Sequence, residues 1–227
     1  MTHQNYQKLD SYMRSCMGDS AHDCEHIYRV LHNALQIAAQ EQGVDYDVLI
    51  TACLLHDIGR KEQFEDPALC HAQVGSEKAE SYLRAEGFEE AFCQSVSHCI
   101  LTHRFRKNNP PQTLEAKILF DADKLDVTGA VGIARTLMYK GDRTEPLYTR
   151  REDNTISNGE NDTVSSFFRE YKFKLEKLYD RFLTPTGARL ARHRRQIAVA
   201  FYESLYREVS ECDEAGREML ARLLEDG

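Results

Sequence analysis

Apolar positions recur at helical spacing along most of this chain, and one stretch is apolar on every side. From Val48 to Leu55 only Thr51 interrupts the run, so a helix here is expected to be buried all round, capped by Asp45 or Asp47 and ending on the adjacent pair His56-Asp57. Ahead of it, cap residues at Asp19 to Asp23 and a stop at Gly43 predict a helix of about five turns. Its stripe is Ile27, Val30, Leu31, Ala34 and Ala38, with His26 at the stripe's edge, Arg29 just beyond, and His32 on the solvent side. Arg60 to Asp66 reads as a polar connection leading to Pro67. Ala68 to Glu86 is helical again, with Ala68, Ala72, Gly75, Ala79 and Leu83 on one side, His71 at the edge, and Gly87 as terminator. The small residues Gly75 and Ala79 are expected to let another helix approach closely.

The segment Glu89 to Arg104 sets Phe92, Val96, Cys99 and His103 on one face and turns His98 away from it. After Arg104, Arg106 and Lys107, the run Asn108-Asn109-Pro110-Pro111 marks a loop. Leu114 to Tyr139 reads as a long helix weakened by Gly129 and Gly132. Its stripe gathers Leu119, Ala122, Asp123, Asp126, Ala130, Ile133 and Leu137, with Asp121 and Lys124 facing the other way. Lys140 to Asp162 lacks periodicity and predicts a long mobile loop. Thr163 to Leu183 is expected to be helical, with Phe167, Tyr171, Leu175, Leu178 and Phe182 on one face. Thr184-Pro185 then opens the last helices, about Pro185 to Val209 and Asp213 to Leu224, whose arginines (Arg189, Arg192, Arg194, Arg195) suit a solvated face. No stretch predicts a strand. The expectation is a single all-α helical-bundle domain over 1–227, with its core at about 19–139, the loop at about 140–162 and C-terminal helices over 163–224.

Composition narrows the function. With 227 residues, 41% hydrophobic and 29% charged, the chain can bury a sizeable core. A net charge of −8 argues against a nucleic-acid polymer as partner, which needs a basic surface, but leaves room for a small phosphorylated substrate. Seven cysteines, an odd number with no C-x-x-C pair, do not form a disulfide framework. Met1 to Asp10 carries no basic apolar signal and no segment is apolar for long enough to span a membrane, so a cytoplasmic setting is expected.

The chemistry rests on histidines and aspartates set against apolar faces. A carboxylate after a run as apolar as Val48 to Leu55 must be paired or metal-bound, or else Asp57 is where the helix meets solvent and Gly59 its stop. Asp123 and Asp126 within an apolar stripe pose the same question, answered either by a salt bridge to Arg29 or Lys124 or by a metal. His71 suits a site-facing position and a packed first-turn position equally.

The ordered series His26, His56-Asp57 and Asp123 resembles the signature of the HD-domain superfamily of metal-dependent phosphohydrolases. With the contexts His26-Ile27-Tyr28-Arg29-Val30, Leu54-Leu55-His56-Asp57-Ile58-Gly59 and Asp121-Ala122-Asp123-Lys124-Leu125-Asp126, it is similar to a branch of stand-alone bacterial HD hydrolases, some of which are nucleotide pyrophosphohydrolases. The resemblance implies His26, His56, Asp57 and Asp123 as ligands of a divalent cation (Mn, Fe, Co, Zn or Mg), and His71 and His103 as possible ligands of a second. It further implies a metal-activated water attacking phosphorus, with Asp57 at the centre and Arg29, then Lys124, on phosphate. Asp126 would orient the water or a substrate hydroxyl. The expected substrate is a small phosphate ester or anhydride, a nucleotide first. An HD-type di-iron oxygenase and a non-catalytic metal-containing binding module are the alternatives, and the oligomeric state is open.

Overall fold

The computed structural model describes residues 1–17, 21–104 and 109–225, with the side chains of 21–23 left out of the description. The expected caps Asp19 and Ser20, together with Arg106, Lys107 and Asn108, lie outside the described residues, and so do the side chains of His22 and Asp23. Among the described residues the chain is all-α, with no strand and a single isolated bridge between Arg150 and Ile156. No helix among them is long and apolar enough to cross a membrane. The chain divides into two compact units, Met1–Asp126 with Phe182–Arg189, and Val127–Arg181 with Leu190–Gly227.

In the first unit, the apolar helix α3 (Tyr46–Leu55) is the centre. Asp45 caps it by accepting from the backbone N–H of Asp47 and Val48, and every residue from Thr51 to Leu55 is buried. Beyond its first turn the helix has no exposed residue and so needs neighbours on all sides. Helices α1 (His3–Met17), α2 (Ala21–Ala38), α6 (Glu90–Thr102) and α7 (Leu114–Leu125) all pack against it. Helix α5 (His71–Ala85) packs on α6, and α2 on α7. The segment Arg60–Glu65, expected as a plain connection, forms a short helix, α4. It starts from Gly59, which lies so close to α5 that a Cβ there would meet His71 O at 2.4 Å and Gly75 N at 2.6 Å.

The expected long helix from Leu114 to Tyr139 is two helices, α7 and α8 (Gly129–Asp142). The break has a backbone cause. Thr128 is extended (ψ 158) and Gly129 takes φ +59, a conformation that the interior of a right-handed helix cannot contain and that glycine adopts without a steric penalty. Asp121, expected to face away from the stripe, is fully buried there and accepts from Leu183 N (2.8 Å), Thr184 N (2.7 Å) and Thr184 Oγ1 (2.7 Å). Leu183 and Thr184 cover that side of α7, so the helix has no wet face there.

In the second unit, α8 includes Lys140 to Asp142, the first residues of the expected loop. Lys140 is buried, its ammonium bonded to Glu145 and Ser165. The helix expected over Thr163 to Leu183 is confined to α9 (Phe167–Phe173) and a 3-10 helix (Leu175–Asp180). Ser166 caps α9, and Lys174 (φ −125) leaves the helical region between the two. The two expected C-terminal helices are one, α10 (Pro185–Glu225), because Ser210 to Cys212 holds no glycine or proline to break it. Tyr171 stacks on Tyr202 (centroids 4.0 Å apart), with Phe167 and Phe168 buried beside them.

Candidate metal centre

Four helix ends or edges of the first unit bring their histidines to Asp57. His26 lies on α2, His56 caps the C-terminus of α3, His71 opens α5 and His103 caps the C-terminus of α6; all four are buried. Asp57 itself has no exposed surface. Its Oδ2 faces His26 Nε2 at 3.4 Å and His56 Nε2 at 3.5 Å, and its Oδ1 faces His71 Nε2 at 3.4 Å and His103 Nε2 at 3.7 Å. Asp123, on α7 with its side chain 29% exposed, brings Oδ1 to 3.4 Å from His26 Nε2. These donors form two groups with metal-binding spacing, His26–His56–Asp123 and Asp57–His71–His103.

The rings are aimed from behind. Each Nδ1 faces an acceptor: Asp126 Oδ2 for His26 (2.7 Å), Cys53 O for His56 (2.8 Å), Gln63 Oε1 for His71 (2.6 Å) and Ile100 O for His103 (2.6 Å). A ring that donates its Nδ1 proton to an oxygen presents Nε2 as its ligating nitrogen, and all four Nε2 atoms point toward Asp57. His71 Nε2 and His103 Nε2 lie only 3.3 Å apart. Among the described residues His56 Nε2 and Asp57 Oδ1 are buried without a hydrogen-bond partner. Such atoms are costly to bury unless something binds them. A divalent cation fits this donor set of imidazole nitrogens and carboxylates.

The electrostatics are divided. Burial works against the charged form of His26, but the carboxylates of Asp123, Asp126 and Asp57 outweigh it and raise the pKa to about 10. Burial lowers His56 to about 4 and His71 to about 3, the latter with help from Arg60, His103 and Arg104. Burial pushes Asp57 up, but His56, Arg60 and His26 hold it well below the usual carboxylate range. A pH profile follows for protein stripped of divalent ions. From the ordinary 6.5 down to about 3–4, the unfolded chain binds protons that folded His56 and His71 refuse, so stability falls as pH falls. The His26 contribution is complete below 6.5 and is lost as pH climbs to about 10. Thermal melts in chelator are expected to peak near pH 6.5 and decline on both sides, and a flat profile would refute this account.

Of the two expected cations, Arg29 sits at the margin of the cluster. Arg29 donates from Nε to Asp126 Oδ1 (2.6 Å) and from Nη2 to Asp126 Oδ2 (3.1 Å), with its side chain 36% exposed. Both oxygens of Asp126 are therefore engaged by Arg29 and His26. That leaves the residue holding a ring where the sequence suggested a contact to water or a substrate hydroxyl. Lys124 places its ammonium 3.1 Å from the centre of the Phe120 ring and lends its charge to Asp121. Two residues escaped the sequence reading. Arg60, three positions after Asp57, bonds Asp57 Oδ2, and Gln63 holds His71. The i,i+3 spacing could have found the first; nothing in the pattern marks the second. His98 is half-exposed and accepts from Gln112 N at 3.4 Å, away from the cluster. His98→Ala should leave cation stoichiometry unchanged while His103→Ala lowers it, as elemental analysis would read. Equal losses from both would refute this assignment.

Residues 24–128 match the family model of the HD domain. YpgQ of Bacillus subtilis, an uncharacterized protein, is 29% identical over 213 residues, covering 91% of this chain and 95% of its own. Its crystal structure superposes with a TM-score of 0.70 at 26% identity, over 91% of this chain and 96% of that one. A crystal structure of YpgQ in complex with ADP gives 0.69 at 25% identity, over 90% and 95% of the two chains. A predicted HD superfamily hydrolase from an uncultured Thermotogales bacterium is 30% identical over 91% of this chain and 92% of its own, with a TM-score of 0.61.

Proposed function

This chain belongs to the HD-domain family, and we propose that it is a metal-dependent phosphohydrolase acting on a small phosphate ester or anhydride, a nucleotide in the first instance. The observation that carries this reading is the placement of Asp57. One oxygen faces His26 and His56, the other faces His71 and His103, and every ring is fixed from behind through Nδ1. His26, His56, Asp57 and Asp123 would hold the first cation, and Asp57, His71 and His103 a second. When bound, such a cation supplies a water of lowered pKa and neutralises charge on a phosphoryl oxygen.

The chain's own groups do the remaining work. Asp126 keeps the His26 ring in register, and Arg29, tied to Asp126 and partly exposed, holds a positive charge where substrate phosphate can reach it. Lys124 is the second candidate cation. A partly exposed Asp123 leaves the cluster an approach from solvent. The ADP complex of YpgQ supports a nucleotide as the ligand class.

The test is elemental analysis of the purified protein, followed by incubation with nucleoside mono-, di- and triphosphates, sugar phosphates and generic phosphodiesters, with identification of the products. Phosphate or pyrophosphate release that stops in chelator and returns with a divalent cation supports the proposal. Stable cation binding with no hydrolysis of any of these would overturn it in favour of a binding module. The two-sided surroundings of Asp57 equally suit a di-iron oxygenase, which an EPR signal from coupled irons and oxygen-dependent turnover would reveal.

A further inference from the structure

Arg60 bonds the carboxylate oxygen of Asp57 that also faces His26 and His56. The buried carboxylate demands a positive partner, and Arg60 supplies one from the solvent side, with its own side chain 45% exposed. Its backbone is not free to move away. Arg60 N donates to Asp57 O (3.0 Å), and Gly59 is wedged against the backbone of His71 and Gly75. The side chain, 45% exposed, is the part of Arg60 that can move. A guanidinium also stays charged at any working pH, so it cannot yield by losing its proton.

We infer that Arg60 is a built-in competitor of the cation at Asp57 Oδ2, a positioning residue that sets how tightly the centre takes up metal. The inference rests on the metal reading above. While Arg60 holds the carboxylate, the arrangement of Asp57 against its histidines is kept without any ion. When a cation engages the same oxygen, two positive charges crowd one acceptor, and Arg60 swings outward. Arg60 thus stabilises the metal-stripped protein and weakens cation binding through the same contact.

The experiment titrates Mn²⁺ calorimetrically into chelator-stripped wild type, Arg60→Gln and Arg60→Lys. The glutamine variant is expected to bind about tenfold tighter, the gain from removing one competing, solvent-screened charge. The lysine variant, which keeps the charge, should stay near wild type. Chelator-stripped Arg60→Gln should also melt below stripped wild type, with the difference closing at saturating Mn²⁺. A glutamine variant that binds Mn²⁺ equally or more weakly would overturn the inference, because a residue that only contacts substrate leaves metal affinity alone, and one that only orients Asp57 would weaken it on removal. Wild type that takes up no cation would instead sink the metal reading, and this inference with it.

Discussion

Asp57→Ala is expected to lose bound metal from both groups of donors and to lower the proposed phosphohydrolase turnover by roughly 10³-fold. No other side chain of the cluster faces all four histidines, two through each oxygen. Removing it takes away the one negative charge common to the two groups and leaves four buried imidazoles around a hole. The fold should persist, because α3 is held by its apolar flanks rather than by this carboxylate. Folding, metal content and rate can therefore be read separately, by melting, elemental analysis and initial rates. Asp57→Asn isolates the charge, since the amide keeps the shape and still accepts a hydrogen bond from Arg60. A folded Asp57→Ala protein with its full complement of metal would end the ligand assignment, whatever became of the rate.

The parts of this geometry that could be read in the sequence are those written in helical phase. Phe92, Val96, Cys99 and His103 share a face of α6, which is why His103 and not His98 reaches the cluster. The apolar run into His56-Asp57 left Asp57 either as a buried carboxylate in need of a partner or as a helix end meeting solvent, and both residues of the doublet are buried. Phase failed where the backbone stopped obeying it. The stripe through Asp123 and Ile133 assumed one helix, but Gly129 at φ +59 ends that periodicity. Asp121 was misplaced for a different reason. A wheel shows which side of a helix is opposite the core, but not whether a distant segment, here Leu183 and Thr184, covers that side as well. Arg60 and Gln63 were overlooked for a third reason. A polar stretch between helices has no period to read, and their partners Asp57 and His71 are set by how α4 folds back.

That fold-back makes Gly59 the position beside the cluster where a single methyl group should do large structural harm. A methyl group there would lie 2.4 Å from His71 O, 2.6 Å from Gly75 N and 3.1 Å from Gly75 Cα, all backbone atoms of α5. No rotamer change relieves such contacts, so Gly59→Ala must push α5 away from the His56-Asp57 corner. The expected cost is about 3 kcal/mol, or a melting temperature lower by roughly 6–12 °C in a chain of this size. The displaced helix carries His71, so the group formed by Asp57, His71 and His103 should lose its cation first. The group formed by His26, His56 and Asp123 involves no residue of α5 and should keep its own. Gly75→Ala is the control from the other side of the same contact. Its Cβ would meet Gly59 N at 3.4 Å and His56 O at 3.5 Å, close to ordinary packing distances, and should cost little. Equal destabilisation by the two alanines would show that the contact is not asymmetric, and retention of both cations by Gly59→Ala would show that α5 does not need this approach to bring His71 to Asp57.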